Sequence, residues 1–369
     1  MLILDTQQKI EDFTRGCCFY ATGGGGPPLF GQQMLIDALN AGKHIRIIDV
    51  EEMPQSAWTL CPYLMGSSGP ETEDIKNIMQ SYGLSEKTIA NMPAQAAQLL
   101  LTEAGIRLDA IIPLELGGAA TASALASAAW LDVPVIDADY EGRALPEISQ
   151  MLPAIHNVNI LPIASCDAYG NQTVIKKAIN LHMMERIGKY LSSASFGLIG
   201  QACLLRQLKE VRPYMLVNTL SKAYSVGVAL RQVSEKSENV IESIINLTQA
   251  KVIFTGNIVS KDAEELEGYY VGNTIVSGTQ TYKNNQLKVW FKNEFILSWL
   301  NENPYIACPD LITMIDASTY EPIINSQLQE GMEVIVFGLP APKQLQSPAA
   351  LKVLGPEHFG FNFKAQRLD

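Results

Sequence analysis

Three short stretches hold residues whose type and spacing could do chemistry. The first, FYATGGGGPPLFG (Phe19 to Gly31), sets Gly23, Gly24, Gly25 and Gly26 in succession before two prolines. Glycine loses more backbone freedom on ordering than any other residue. A folded chain tolerates four together where backbone must pass very close to something, or must turn several N–H groups toward it. A glycine-rich turn entering a helix can wrap a small anionic or heterocyclic ligand with its amides. The run lacks the lysine of a P-loop and the GxGxxG spacing of a dinucleotide fold, which argues against a nucleotide cradle. Two readings stand: a ligand-facing loop, or a tight crossing of backbone on backbone.

The second stretch reads strand, glycine pair, alanine-rich helix: LDAIIPLEL, then Gly117-Gly118, then AATASALASAAWL. Ligands of parallel sheets bind beyond the carboxyl ends of strands, which puts Glu115 and the two glycines in a favoured position. The third, DVPVIDADYEGRALPE, ends its strand on Asp137 and Asp139, followed by Glu141, Arg143 and Glu147. Aspartates at i and i+2 on a strand end can point the same way and hold a divalent metal or act as acid and base. The alternative is a capped helix start with Arg143 as their salt-bridge partner. Ser221-Lys222, in NTLSKAYSVG, is either the first turn of a capped helix or an anion-binding pair reaching a pocket. His44, His156, His182 and His358 form no paired spacing, and only His156 stands near an expected domain boundary.

The elements that must position these residues change character along the chain. Helical spacing covers Thr6 to Arg15, Gly31 to Ala41 and Pro93 to Gly105, with a short strand over His44 to Val50. With the βαβ unit around Gly117, this predicts an α/β domain with a mainly parallel sheet over residues 1–155. Residues 179–250 read as helical and are expected to pack on that domain. From Lys251 onward, short strands at about ten-residue spacing predict a mostly β, barrel- or sandwich-like domain. The hairpin around Gly170 is expected to join it, giving a second domain of residues 156–178 and 251–369.

Composition narrows the partners. A net charge of −11 disfavours nucleic acid and anionic membrane. Charged residues are 18% of a 369-residue chain, below the roughly 25% usual for a soluble domain, so a homo-oligomer is expected. Six cysteines without a CxxC pair, and a start without a basic segment leading into an apolar core, point to a reducing cytoplasm and no membrane span. Cys17 and Cys18 read as buried structural thiols.

Taken in order, ATGGGGPP, PLELGG, PVIDADYEGRALPE, ASCDAYGN, TLSKA, FTGNIV, FKNEF, PDLITMID, LQEGMEVIVFGLPAP and GPEHFGF resemble the S-methyl-thiohydantoin desulfurase family across nearly the whole chain. The resemblance implies an N-terminal α/β domain joined to a mostly β C-terminal one. It implies hydrolytic removal of sulfur from a thiohydantoin ring, with a possible divalent metal. Asp137 and Asp139 would supply metal ligands or base, and the glycine amides and Arg143 the positive groups. Members are associated with hydantoinase- and oxoprolinase-type enzymes, so the alternative is a non-catalytic or regulatory partner of such an enzyme. The chain departs from the family pattern at Pro27, Ala119-Ala120, Tyr140-Glu141 and Lys222.

Overall fold

The computed structural model describes residues 1–66, 73–84, 86–236, 240–364 and 367–368. The first unit is an eight-stranded mixed sheet, in the order Leu2–Ile3, Arg46–Ile48, Val135–Ile136, Ala110–Ile111, Trp58–Met65, Ile199–Gln207, Ile163–Cys166, Gln172–Ile175. Its middle, from Arg46–Ile48 to Trp58–Met65, pairs in parallel, and both flanks are antiparallel. The middle strands are short and apolar because helices cover both faces.

Sequence explains the helices locally. The helix Gln7–Tyr20 starts where the Thr6 side chain accepts from the Lys9 amide, and Met92–Ala104 starts on Asn91 and stops at left-handed Gly105. The alanine-rich helix Ala120–Trp130 is buried on nearly every side. Helix Gln7–Tyr20 packs on Thr219–Lys236 at backbone distance: a Cβ on Gly16 would lie 1.7 Å from the Ala223 carbonyl oxygen, and one on Gly227 1.7 Å from that of Asp12. Arg231 closes the contact with a salt bridge to Asp12. Of residues 179–250, with 237–239 outside the described residues, the helix Thr219–Lys236 packs on the first unit, and a long strand, Ile199–Gln207, lies among the helices.

The hairpin around Gly170 does not join the later strands. Its strand Ile163–Cys166 pairs antiparallel with Ile199–Gln207, in the first sheet. All four of its residues are buried, and the first unit covers it from both sides. That corrects the expected placement of 156–178.

The second unit is a seven-stranded antiparallel sheet curved into a half-barrel, from Asn303–Ala307 at one edge to Leu311–Asp316 at the other. Alternation sends Leu287, Val289 and Phe291 inward from the strand Gln286–Lys292. The two units share one core: Phe19 meets Phe337 with ring centroids 5.9 Å apart, and the Thr313 hydroxyl donates to the Phe19 carbonyl at 2.6 Å. Among the described residues no helix is long and apolar enough to cross a membrane.

Candidate functional site

A cavity of about 470 Å³ opens between the two units. One wall is the loop Gly23–Gly26, which continues the buried helix Gln7–Tyr20 into the helix Pro28–Asn40. Thr22, Gly23, Gly25 and Gly26 all have left-handed φ, between 50° and 80°. Both readings of the glycine run hold at once. The backbone packs so closely that a Cβ on Gly25 would lie 2.4 Å from the Gly117 Cα, and one on Gly24 2.0 Å from Glu294 Oε1. The other side of the same loop faces the cavity. Its carbonyls are spent holding neighbours: Gly25 O accepts from the Ala119 and Ala120 amides, Gly23 O from Asn325, and Thr22 O from Phe295.

Two carboxyls reach the cavity from opposite units. Glu115, beyond the strand Ala110–Ile111, accepts from the Leu145 amide at 3.1 Å. Burial, reinforced by the nearby Glu294 charge, pushes its pKa up to about 8. Glu294, the first residue of the strand Glu294–Leu300, is 4% exposed; burial lifts it to about 7 against the pull of Arg143 and Lys189. Its Oε1 side is held by the Gly25 amide, while Oε2 has no donor among the described residues. Behind Glu115, and outside the cavity, lies fully buried Glu141. Neither Glu141 carboxyl oxygen has a hydrogen-bond partner among the described residues, and burial, with the Glu115 charge beside it, pushes its pKa well up.

A buried lysine completes the site. Lys189, on the helix Leu181–Ala194, lies 3.9 Å from Glu185 and 4.2 Å from the Tyr269 ring centroid, and burial lowers its pKa. Glu185 in turn accepts from the Tyr269 hydroxyl and the Ile148 amide.

The chain is matched nearly end to end by two models of one family: the S-Me-THD-like N-terminal domain over residues 8–177 and the S-Me-THD-like C-terminal domain over 179–368. It belongs to the S-Me-THD-like family. It is also similar to an X-ray crystal structure of a protein from Chromobacterium violaceum, 19% identical, with all of both chains covered and a TM-score of 0.78, which shows the shared fold. No curated protein matches it. The boundary between the two S-Me-THD-like domains does not follow the sheets. The C-terminal domain begins at 179, yet its strand Ile199–Gln207 lies inside the first sheet, between Trp58–Met65 and Ile163–Cys166.

Against this S-Me-THD-like frame, several expected site residues stand elsewhere. Gly117 and Gly118 lie behind the glycine loop: Gly117 packs on Gly25, and Gly118 on Cys18 and Pro28. Asp137 caps the helix Thr219–Lys236, its Oδ1 accepting from the Leu220 and Ser221 amides at 2.9 and 3.0 Å. Asp139 Oδ1 accepts from the Glu141 and Gly142 amides, and burial lifts its pKa to about 6. Neither lines the cavity. No group of three or more His, Cys, Asp or Glu among the described residues is placed to hold a metal ion, so the paired aspartates do not fit a metal site.

Arg143 pairs with neither aspartate. It is fully buried and donates to the carbonyls of Ala144, Phe295, Pro309 and Asp310 and to the Thr22 hydroxyl, at 3.0–3.2 Å. It ties the units together and lends Glu294 a positive neighbour. Ser221 sits in the first helical turn, and Lys222 lies over the Tyr20 ring rather than in the cavity. His156 stacks on Tyr214, away from the cavity. Cys17 and Cys18 are buried free thiols, as all six cysteines are.

Sequence reasoning missed Glu294, Glu185 and Lys189. A signal existed for each. Glu294 opens an otherwise apolar strand, and Glu185 and Lys189 stand four apart on the helix face that also carries Met184, Gly188 and Ser192.

Gly24 gives a direct handle on the geometry. Its φ is not left-handed, so the fault of an added methyl is the collision with the Glu294 carboxylate. Gly24→Ala is expected to keep the fold, displace Glu294 and lower kcat/KM roughly 10²-fold. Thermal unfolding alongside steady-state kinetics checks it.

Proposed function

We propose that the chain hydrolyses the carbon–sulfur bond of a thiohydantoin-like ring, giving the hydantoin and a thiol. The observation that carries this is the pair of cavity carboxyls, Glu115 and Glu294, whose surroundings hold one as an acid and leave the other to ionise first. Family membership supports the ring class. The cavity, at about 470 Å³, suits a five-membered ring with a substituent.

The chemistry follows from those residues. The Glu294 carboxylate takes a proton from water as the water oxygen bonds to the ring carbon that carries sulfur. The C=N electron pair moves onto the ring nitrogen, which receives the proton of Glu115. In the collapse, the new hydroxyl returns a proton to Glu115, the C–S bond breaks, and Glu294 protonates the departing sulfur. Water has been added, a thiol has left, and both carboxyls are restored. Lys189 provides positive potential for charge that builds on the ring. Burial beside the Glu294 charge keeps Glu115 in its acid form.

The test is release of methanethiol from an S-methylated thiohydantoin, followed with a thiol reagent. Activity needs Glu294 ionised and Glu115 protonated. The rate therefore rises with pH as Glu294 titrates near 7 and falls as Glu115 titrates near 8, the two carboxyls titrating as a pair. A narrow bell in kcat/KM centred at about pH 7.5 is expected. A profile flat from pH 6 to 9 would contradict the assignment.

A further inference from the structure

The cavity's charge pattern makes a statement about the substituent on the ring. Five carboxyl groups line it, protonated Glu115 and four others (Glu185, Glu264, Glu265 and Glu294), against one lysine, Lys189. Lys189 is engaged by Glu185 at 3.9 Å. Lys261, on the same hairpin, donates to the Asn325 and Leu328 carbonyls, lies 5.3 Å from the Tyr270 ring centroid and does not itself line the cavity.

Glu264 and Glu265 lie near the end of the strand Lys251–Leu266, where its hairpin with Tyr269–Gly278 overhangs the cavity mouth. Both are exposed, and neither has a cationic partner among the described residues. Glu265 stands opposite Tyr270 in the register, and the Tyr270 ring also lines the cavity. Deeper in, Glu294 presents a buried oxygen with no donor.

A ring whose reacting carbon reaches the buried carboxyls must send its substituent back toward this acidic, aromatic mouth. We infer that Glu264 and Glu265 select rings whose substituent is a cation, such as an aminoalkyl or guanidinoalkyl group, and turn away rings bearing a carboxylate. The electrostatic field of the two glutamates favours the cation on approach and once seated. This rests on the reading of the cleft as a ring-binding site.

Calorimetric titration of the intact protein with hydantoins carrying an aminobutyl, an isobutyl or a carboxyethyl group at the substituted ring carbon separates the possibilities without needing turnover. The aminobutyl compound is expected to bind roughly tenfold tighter than the carboxyethyl one at low salt. That ratio should shrink toward unity in about 0.5 M salt, where the screening length is only a few ångströms. It should also shrink in the doubly substituted variant Glu264→Gln, Glu265→Gln. Equal or tighter binding of the carboxyethyl compound overturns the selectivity and leaves the hydrolase reading standing. Failure of all three to bind overturns the ring-binding reading, and the selectivity with it.

Discussion

Glu294→Gln removes most turnover, lowering kcat/KM by roughly 10²–10⁴-fold, the range typical for loss of a general base. The substitution keeps the side chain's shape, and with it the packing against Gly24 and the neighbouring Phe295. What is lost is the ability to accept water's proton. The folded state has little to lose, because a buried carboxyl with an unpartnered oxygen is already costly to hold. A melting temperature near wild type together with collapsed methanethiol release is the expected pair of results. Glu115→Gln is the informative companion: it too lowers the rate, and it removes the alkaline limb of the pH profile while leaving the limb near 7. Near-wild-type turnover in Glu294→Gln would refute the assigned chemistry.

The second large effect concerns stability. Arg143→Met is expected to cost more than about 5 kcal/mol, enough to deplete the folded protein, because it strands several buried oxygens at once. The guanidinium satisfies Thr22 at the glycine loop, Ala144 beside it, and Phe295, Pro309 and Asp310 in the second unit. Methionine fills similar space and satisfies none of them. Arg143→Lys keeps the charge beside Glu294 but offers three donors from a single point, so an intermediate loss is expected. Urea unfolding midpoints of the three proteins, with the soluble yield of each, check the order wild type, lysine, methionine.

Much of the architecture was legible because it depends on local pattern. The strand–glycine–helix–strand unit around Gly117, the capped helices and the late run of short strands all follow from periodicity and turn residues. The hairpin around Gly170 was misplaced because its partner, Ile199–Gln207, lies in a stretch that reads as helical; pairing between distant segments is not written in either one. Glu115 stands beyond the end of its strand and lines the cavity, as the rule that ligands gather beyond strand ends leads one to look for. Asp137 and Asp139 obey the same rule, yet nearby backbone amides claimed their carboxylates first, which only the fold reveals. Glu294 and Lys189 belong to no spacing motif, since the cavity draws one residue from each of several elements.

The strand Ile199–Gln207 belongs by sequence to the second half and by pairing to the first. The two halves are therefore dovetailed rather than strung together. A gene split at their border would yield one fragment missing an inner stave of its sheet and another with a stave and no frame. The chamber needs both halves of the chain, because its walls and its first sheet draw on each.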